Sequence, residues 1–224
     1  MATIDVDGRS VHYEFHGEGD RTVVWTHGIG SSLETWREPL QEIPGFRHLI
    51  YSVRGMGQSQ GIDGPVRLED WASDLNGLME ALGIKSAIIA GHSMGGAISQ
   101  RFAIDFPERV EGLILLSTSS RVGPALEAAW LRGAEEIEAT NPHLAAARRA
   151  VSKYNMDESL KLVNVPTLIL VGSKDPQTPP GGSVIMSRLL AQSQLEIFPG
   201  IGHGIFKEEP KAVARSREWL QALA

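Results

Sequence analysis

The chain of 224 residues contains no cysteine. That excludes disulfides, cysteine-ligated zinc and thiol catalysis, and it is compatible with a reducing compartment. No run of about 18 apolar residues occurs, so no membrane-spanning helix is expected. Positive charge is in deficit: 27 acidic against 21 basic residues leave a net charge of −6, which argues against a general nucleic-acid binder. The opening stretch, MATIDVDGRSVHYEF, has neither the basic start nor the apolar centre of a secretory signal, so a cytoplasmic location is the expectation. Phosphate- and metal-binding patterns are missing too. G-x-x-x-x-G-K-[ST] and H-E-x-x-H do not occur. Gly55-Met56-Gly57 starts a dinucleotide fingerprint whose third glycine would fall where Gln60 stands. Neither a metal nor a cofactor is expected.

What is present reads as strands alternating with helices. IDVDGRSVHYEFHG places a DG turn between alternating segments and signals a hairpin. TVVWTHG and HLIYSVRGMGQS are short apolar runs that end in glycine-rich loops, as buried parallel strands do. Residues 68–82 carry Leu68, Trp71, Leu75, Leu78, Met79 and Leu82 on one helical face, and Gly83 ends the helix. Further strands are expected at 86–90, 110–119, 165–175 and 194–203. A helix over MGGAISQRFAIDF follows the first of these. Another runs to the C-terminus from Pro210, with Val213, Leu220 and Leu223 inward. The fold class is therefore α/β, a mostly parallel central sheet with helices on both faces. Residues 1–120 and 165–224 would form its core. The stretch 121–164 holds helices only, with Leu126, Ala129, Trp130, Gly133 and Ile137 on one stripe and Asn141 capping a second helix at Pro142. It reads as a short helical cap over the sheet's edge.

Gly91-His92-Ser93-Met94-Gly95 matches G-x-S-x-G between a strand and a helix. A nucleophile on so sharp a turn takes strained backbone angles, and small neighbours let the strand and helix approach. A serine hydroxyl needs a base, and the base needs an acid to orient it. Asp175, in VGSKDPQTP, and His203, in PGIGHG, follow later strands in the order Ser…Asp…His. All three would project from one sheet edge. Two backbone N–H groups should bind the developing oxyanion: Met94, directly after the nucleophile, and Ile29, in the loop His27-Gly28-Ile29-Gly30.

Rival residues are weaker. Of seven histidines, only His203 follows the final strand in a glycine-flanked loop. His27 reads as support for the oxyanion loop. His92 should face away from a projecting Ser93, and His12, His16, His48 and His143 read as surface or packing residues. Asp157 reads as a cap residue and Glu196 as a strand residue. The segment LLSTSS after the 110–119 strand offers no alternative acid. Lys207, Glu208 and Glu209 read as a solvated helix start.

Taken in order, HGIG, RGMGQS, GHSMGG, GSKDPQTP and PGIGH resemble the motifs of the α/β-hydrolase superfamily, over nearly the whole chain. The resemblance implies Ser93 as nucleophile, Asp175 as orienting acid and His203 as base. Ser52 stands where many members carry an aspartate. Only 46 positions separate Ser119 from Val165, a short cap that predicts an open site. Met56, Trp130, Leu131, Ile205 and Phe206 are candidates for the acyl pocket. The expected activity is cofactor-free hydrolysis of a small carboxylic ester or lactone through an acyl-serine, with no nucleic-acid or membrane partner and a monomer compatible with the sequence. A ligand receptor of the same fold, or C–C bond hydrolysis or perhydrolysis by the same triad, are the alternatives. Dehalogenase and epoxide-hydrolase chemistry uses an aspartate at the position of Ser93.

Overall fold

The computed structural model describes residues 2–223. Eight strands form one sheet: β1 (Ala2–Val6), β2 (Arg9–His16), β3 (Thr22–Thr26), β4 (Arg47–Tyr51), β5 (Ala87–His92), β6 (Val110–Leu116), β7 (Thr167–Gly172) and β8 (Ser193–Phe198). The helices are α1 (Leu68–Ala81), α2 (Met94–Asp105), α3 (Pro124–Ile137), α4 (Pro142–Ala150), α5 (Asp157–Leu160), α6 (Pro180–Leu189), α7 (Ile205–Glu208) and α8 (Pro210–Ala222). The sheet order is β1-β2-β4-β3-β5-β6-β7-β8, and only β2 runs antiparallel to its neighbours. The β1–β2 turn is Asp7-Gly8, both at positive φ (51° and 78°), the conformation that a two-residue hairpin turn of matching twist requires.

The period-2 alternation of buried strands sends side chains to two cores. Val24, Leu49, Ile89, Leu115 and Ile169 pack on one face with residues of α1, α2 and α6. Trp25, Ile50, Ile88, Ile114, Leu168 and Leu170 pack on the other with α8 and with Leu33 and Trp36 of a short 3₁₀ turn. Within α8, Val213 and Leu220 are buried, while Leu223, just past its end, is only half-buried.

α6 is absent from the sequence reading, as are the short α5 and α7. α6 opens as Pro180-Gly181-Gly182, which looks like a loop, and only Ser183 and Met186 of its residues are buried. Three strands also end earlier than expected: β6 at Leu116, β7 at Gly172 and β8 at Phe198. Residues 121–164 hold α3, α4 and α5. Asn141 does cap α4, its side chain accepting the Leu144 N–H at 3.1 Å. Ala129, placed on the inward stripe by periodicity, is exposed. No helix among the described residues is long and apolar enough to cross a membrane.

Candidate active site

Because β3, β5, β6, β7 and β8 are mutually parallel, their C-terminal ends share one sheet edge. The loops leaving that edge carry Ile29, Ser93, Asp175 and His203. Ser93 sits between β5 and α2 at φ 55°, ψ −120°, a region that side chains other than glycine rarely occupy. The turn is held on all sides. Ser93 N–H donates to Leu116 O at 2.9 Å, and Ser93 O accepts from Gly96 N, Ala97 N and the Thr118 hydroxyl. A Cβ on Gly91 would strike the Gly95 carbonyl, and one on Gly95 would strike the Thr26 carbonyl, so both positions need bare backbone.

His203 Nδ1 lies 2.8 Å from Asp175 Oδ2. The Asp175 side chain is fully buried and saturated with donors. Oδ1 accepts the N–H groups of Gln177 and Thr178, each at 2.9 Å, and Oδ2 also accepts the Thr178 hydroxyl at 2.7 Å. Burial alone would raise this carboxyl. The bonds from His203 and Thr178 outweigh it and hold Asp175 below the ordinary carboxylate range, so it is ionised at neutral pH. Among the described residues no hydrogen bond joins Ser93 Oγ to the His203 ring.

The loop bearing His203 is clamped from two further directions. Glu208 accepts the N–H groups of Gly202 and Gly204 at 2.9 and 3.0 Å, so it is a loop staple and not simply a solvated helix start. His92 does not point away from the site's machinery. Its Nε2–H donates to the His203 carbonyl at 2.8 Å, and its ring centroid lies 4.7 Å from that of His203. Burial, reinforced by the neighbouring His203, pushes His92 down to about 4 and keeps it neutral. Thr178 escaped the sequence reading, and the clamping role of Glu208 did too. Thr178 had a signal, since Asp175 and the residue three positions on form a side-chain-to-backbone turn in DPQTP.

The loop that carries Ile29 is fixed from beneath by His27. Val53 N–H donates to its Nε2 at 2.9 Å, so Nδ1 carries the proton and donates to Gly28 O at 2.7 Å. Complete burial lowers His27 to about 4, consistent with this single neutral tautomer. Ile29 and Met94 line the cavity that holds Ser93. As the first residue of α2, Met94 has an N–H without an intrahelical acceptor.

That cavity is small. It offers about 30 Å³, and Ser93 is only 9% exposed. Trp130 from α3 and Tyr154, after α4, are among its lining residues, so Ser93 is more buried than the short 121–164 insertion suggests. Of the five residues expected in the pocket, only Trp130 lines it. Leu131 is one helical step, about 100°, further round α3 and points to solvent. Met56 lies by a separate cavity with Ser31, Ser59 and His143. Ile205 is wholly buried in the α8-side core, and Phe206 packs at 5.7 Å on Trp25 and 5.9 Å on Trp36. Both belong to the support beneath the His203 loop.

A family profile for the alpha/beta hydrolase fold matches residues 21–153, and one for TAP-like proteins matches 139–221. The chain belongs to the α/β-hydrolase fold family. Among its relatives is a putative carbamate hydrolase of Caulobacter sp. strain K31, 27% identical, the match covering 95% of each chain. A 3-oxoadipate enol-lactonase of Acinetobacter baylyi is 24% identical over 94% of this chain and 92% of its own. A thermophilic esterase from Thermogutta terrifontis superposes with a TM-score of 0.89 at 27% identity, covering 99% of this chain and 97% of that one. As an α/β-hydrolase, the chain has the sheet order and crossovers that carry its strand-end loops to one edge.

Proposed function

We propose that this α/β-hydrolase is a serine hydrolase acting on a small carboxylic ester or lactone. The observation that carries the reading is the buried, ionised Asp175 bonded at 2.8 Å to His203 Nδ1, beside a serine held at φ 55° on the strand-to-helix turn. With Nδ1–H committed to Asp175, His203 presents a free Nε2 lone pair. Ser93 Oγ attacks the carbonyl carbon while Nε2 takes its proton, and Asp175 stabilises the resulting imidazolium. The N–H groups of Ile29 and Met94 receive the oxyanion; the partial positive charge at the start of α2 favours it further. The imidazolium then protonates the departing alkoxide, leaving an acyl-Ser93. His203 next activates a water to release the acid. Every proton moved in this cycle is exchanged between Ser93, His203, water and substrate, so no cofactor is needed. The esterase, lactonase and carbamate hydrolase among the relatives support acyl transfer to water as the reaction class.

The test is Ser93→Ala with a p-nitrophenyl acetate assay and a fluorophosphonate label mapped by mass spectrometry. The expected result is a loss of turnover by at least about 10³-fold and a label on Ser93 alone in the wild type. Retained turnover, or a label elsewhere, refutes the assignment.

A further inference from the structure

The lining of the Ser93 cavity narrows the substrate class. Val122, Leu126, Trp130 and Val151 supply its apolar wall, and the polar side chains besides Ser93 are the uncharged Ser119, Tyr154, Gln177 and Thr178. Tyr154 is committed as a donor to the Ser119 carbonyl at 3.3 Å. Burial pushes its hydroxyl up to about 12, so it stays neutral. Every side chain lining this cavity, among the described residues, is uncharged. None of the Arg and Lys side chains of residues 121–164 lines it among the described residues, and five of them are engaged elsewhere: Arg148 with the Gly133 carbonyl, Arg149 with Glu138, Arg121 with Asp157, Lys153 with Glu127 and Lys161 with Glu158. A substrate carboxylate placed here would lose its water without gaining a counter-charge, which is strongly unfavourable. The room, about 30 Å³, is that of one or two water molecules. A longer chain must displace Trp130 and the helix that bears it.

We infer that the site selects uncharged esters with a short acyl chain, and that Trp130 sets the length limit. This rests on the serine-hydrolase reading above. It adds a selection against acyl groups that bear their own carboxylate, because the lining provides dispersion contacts and no cation.

The experiment compares methyl butanoate with monomethyl succinate, esters of similar length that differ by one carboxylate, with acid release followed in a pH-stat. Wild type, Ser93→Ala, Leu126→Arg and Trp130→Ala are assayed on both, and on a p-nitrophenyl ester series from acetate to octanoate. The expected kcat/KM ratio of neutral to anionic ester is at least about 100-fold in the wild type. Leu126→Arg, at a half-buried position whose stem can lie along the cap, should shrink that ratio by about 10-fold or more. Trp130→Ala should raise the octanoate-to-acetate ratio by about 10-fold or more. Equal turnover of both methyl esters by the wild type, with Ser93→Ala inactive, overturns the inference and leaves the hydrolase reading standing. An unchanged chain-length profile in Trp130→Ala overturns the assignment of the length limit. No turnover of any ester, with no label on Ser93, overturns the hydrolase reading and this inference with it.

Discussion

The two buried neutral histidines make stability fall with acid in a defined window. His27 and His92 each stand at about 4 in the native state, against about 6.5 for an exposed imidazole. Above the exposed value both states are neutral and neither residue contributes a pH dependence. As pH falls from about 6.5 towards about 4, the unfolded chain binds two protons that the native chain excludes, so native stability drops. Below about 4 the native residues protonate as well and the loss levels off. Between about pH 7 and about pH 5 the linkage relation gives roughly 2 kcal/mol per histidine, or about 4 kcal/mol for the pair. His48, also lowered chiefly by burial, acts in the same direction. Glu14 is held down to about 2 mainly by its hydrogen bond with Arg37, so it loses its partner only at lower pH and stays outside this window. Urea unfolding followed by tryptophan fluorescence, at the two pH values, reads the effect directly. His27→Gln should lose about 2 kcal/mol less than the wild type over that interval, whatever its absolute stability. His92→Gln, which can still donate to the His203 carbonyl, serves if the first variant does not fold. Identical losses in wild type and both variants would refute the claim that these rings are forced to remain neutral.

Two further outcomes test the site's construction. Thr178→Val removes the hydroxyl that reaches Asp175 Oδ2 at 2.7 Å but keeps the backbone donors, so kcat in the ester assay should fall about 10-fold with KM little changed; an unaltered kcat would deny Thr178 any part in positioning the pair. Ser93→Gly releases the φ 55° strain, worth about 1–3 kcal/mol, against roughly 0.7 kcal/mol of added unfolded-chain entropy, so it should abolish turnover yet melt higher than Ser93→Ala; a lower melting temperature would refute the strain.

The hairpin, the strand-helix alternation and the two helices with clean apolar stripes were legible because period and turn chemistry are local properties. The placement of Ser93, Asp175 and His203 at one sheet edge was legible for a related reason: each residue follows the end of a strand, and parallel strands bring those ends together. α6 was not legible, since its Pro-Gly-Gly start mimics a loop and packing against β7 and β8 supplies what propensity does not. Leu131, Ile205 and Phe206 lie close in sequence to site residues, but a single helical step, or the fold of α7 beneath the sheet edge, turns them elsewhere.

The sequence by itself thus determined the chemistry available, because residue type and order along the chain decide which groups reach the common edge. The tertiary structure alone decided the neighbourhood of those groups. It made His92 and Glu208 clamps on the His203 loop, committed the Thr178 hydroxyl to Asp175, and brought Trp130 and Tyr154 to the uncharged cavity beside Ser93. The His92–His203 contact joins segments 111 positions apart, and no local pattern records it.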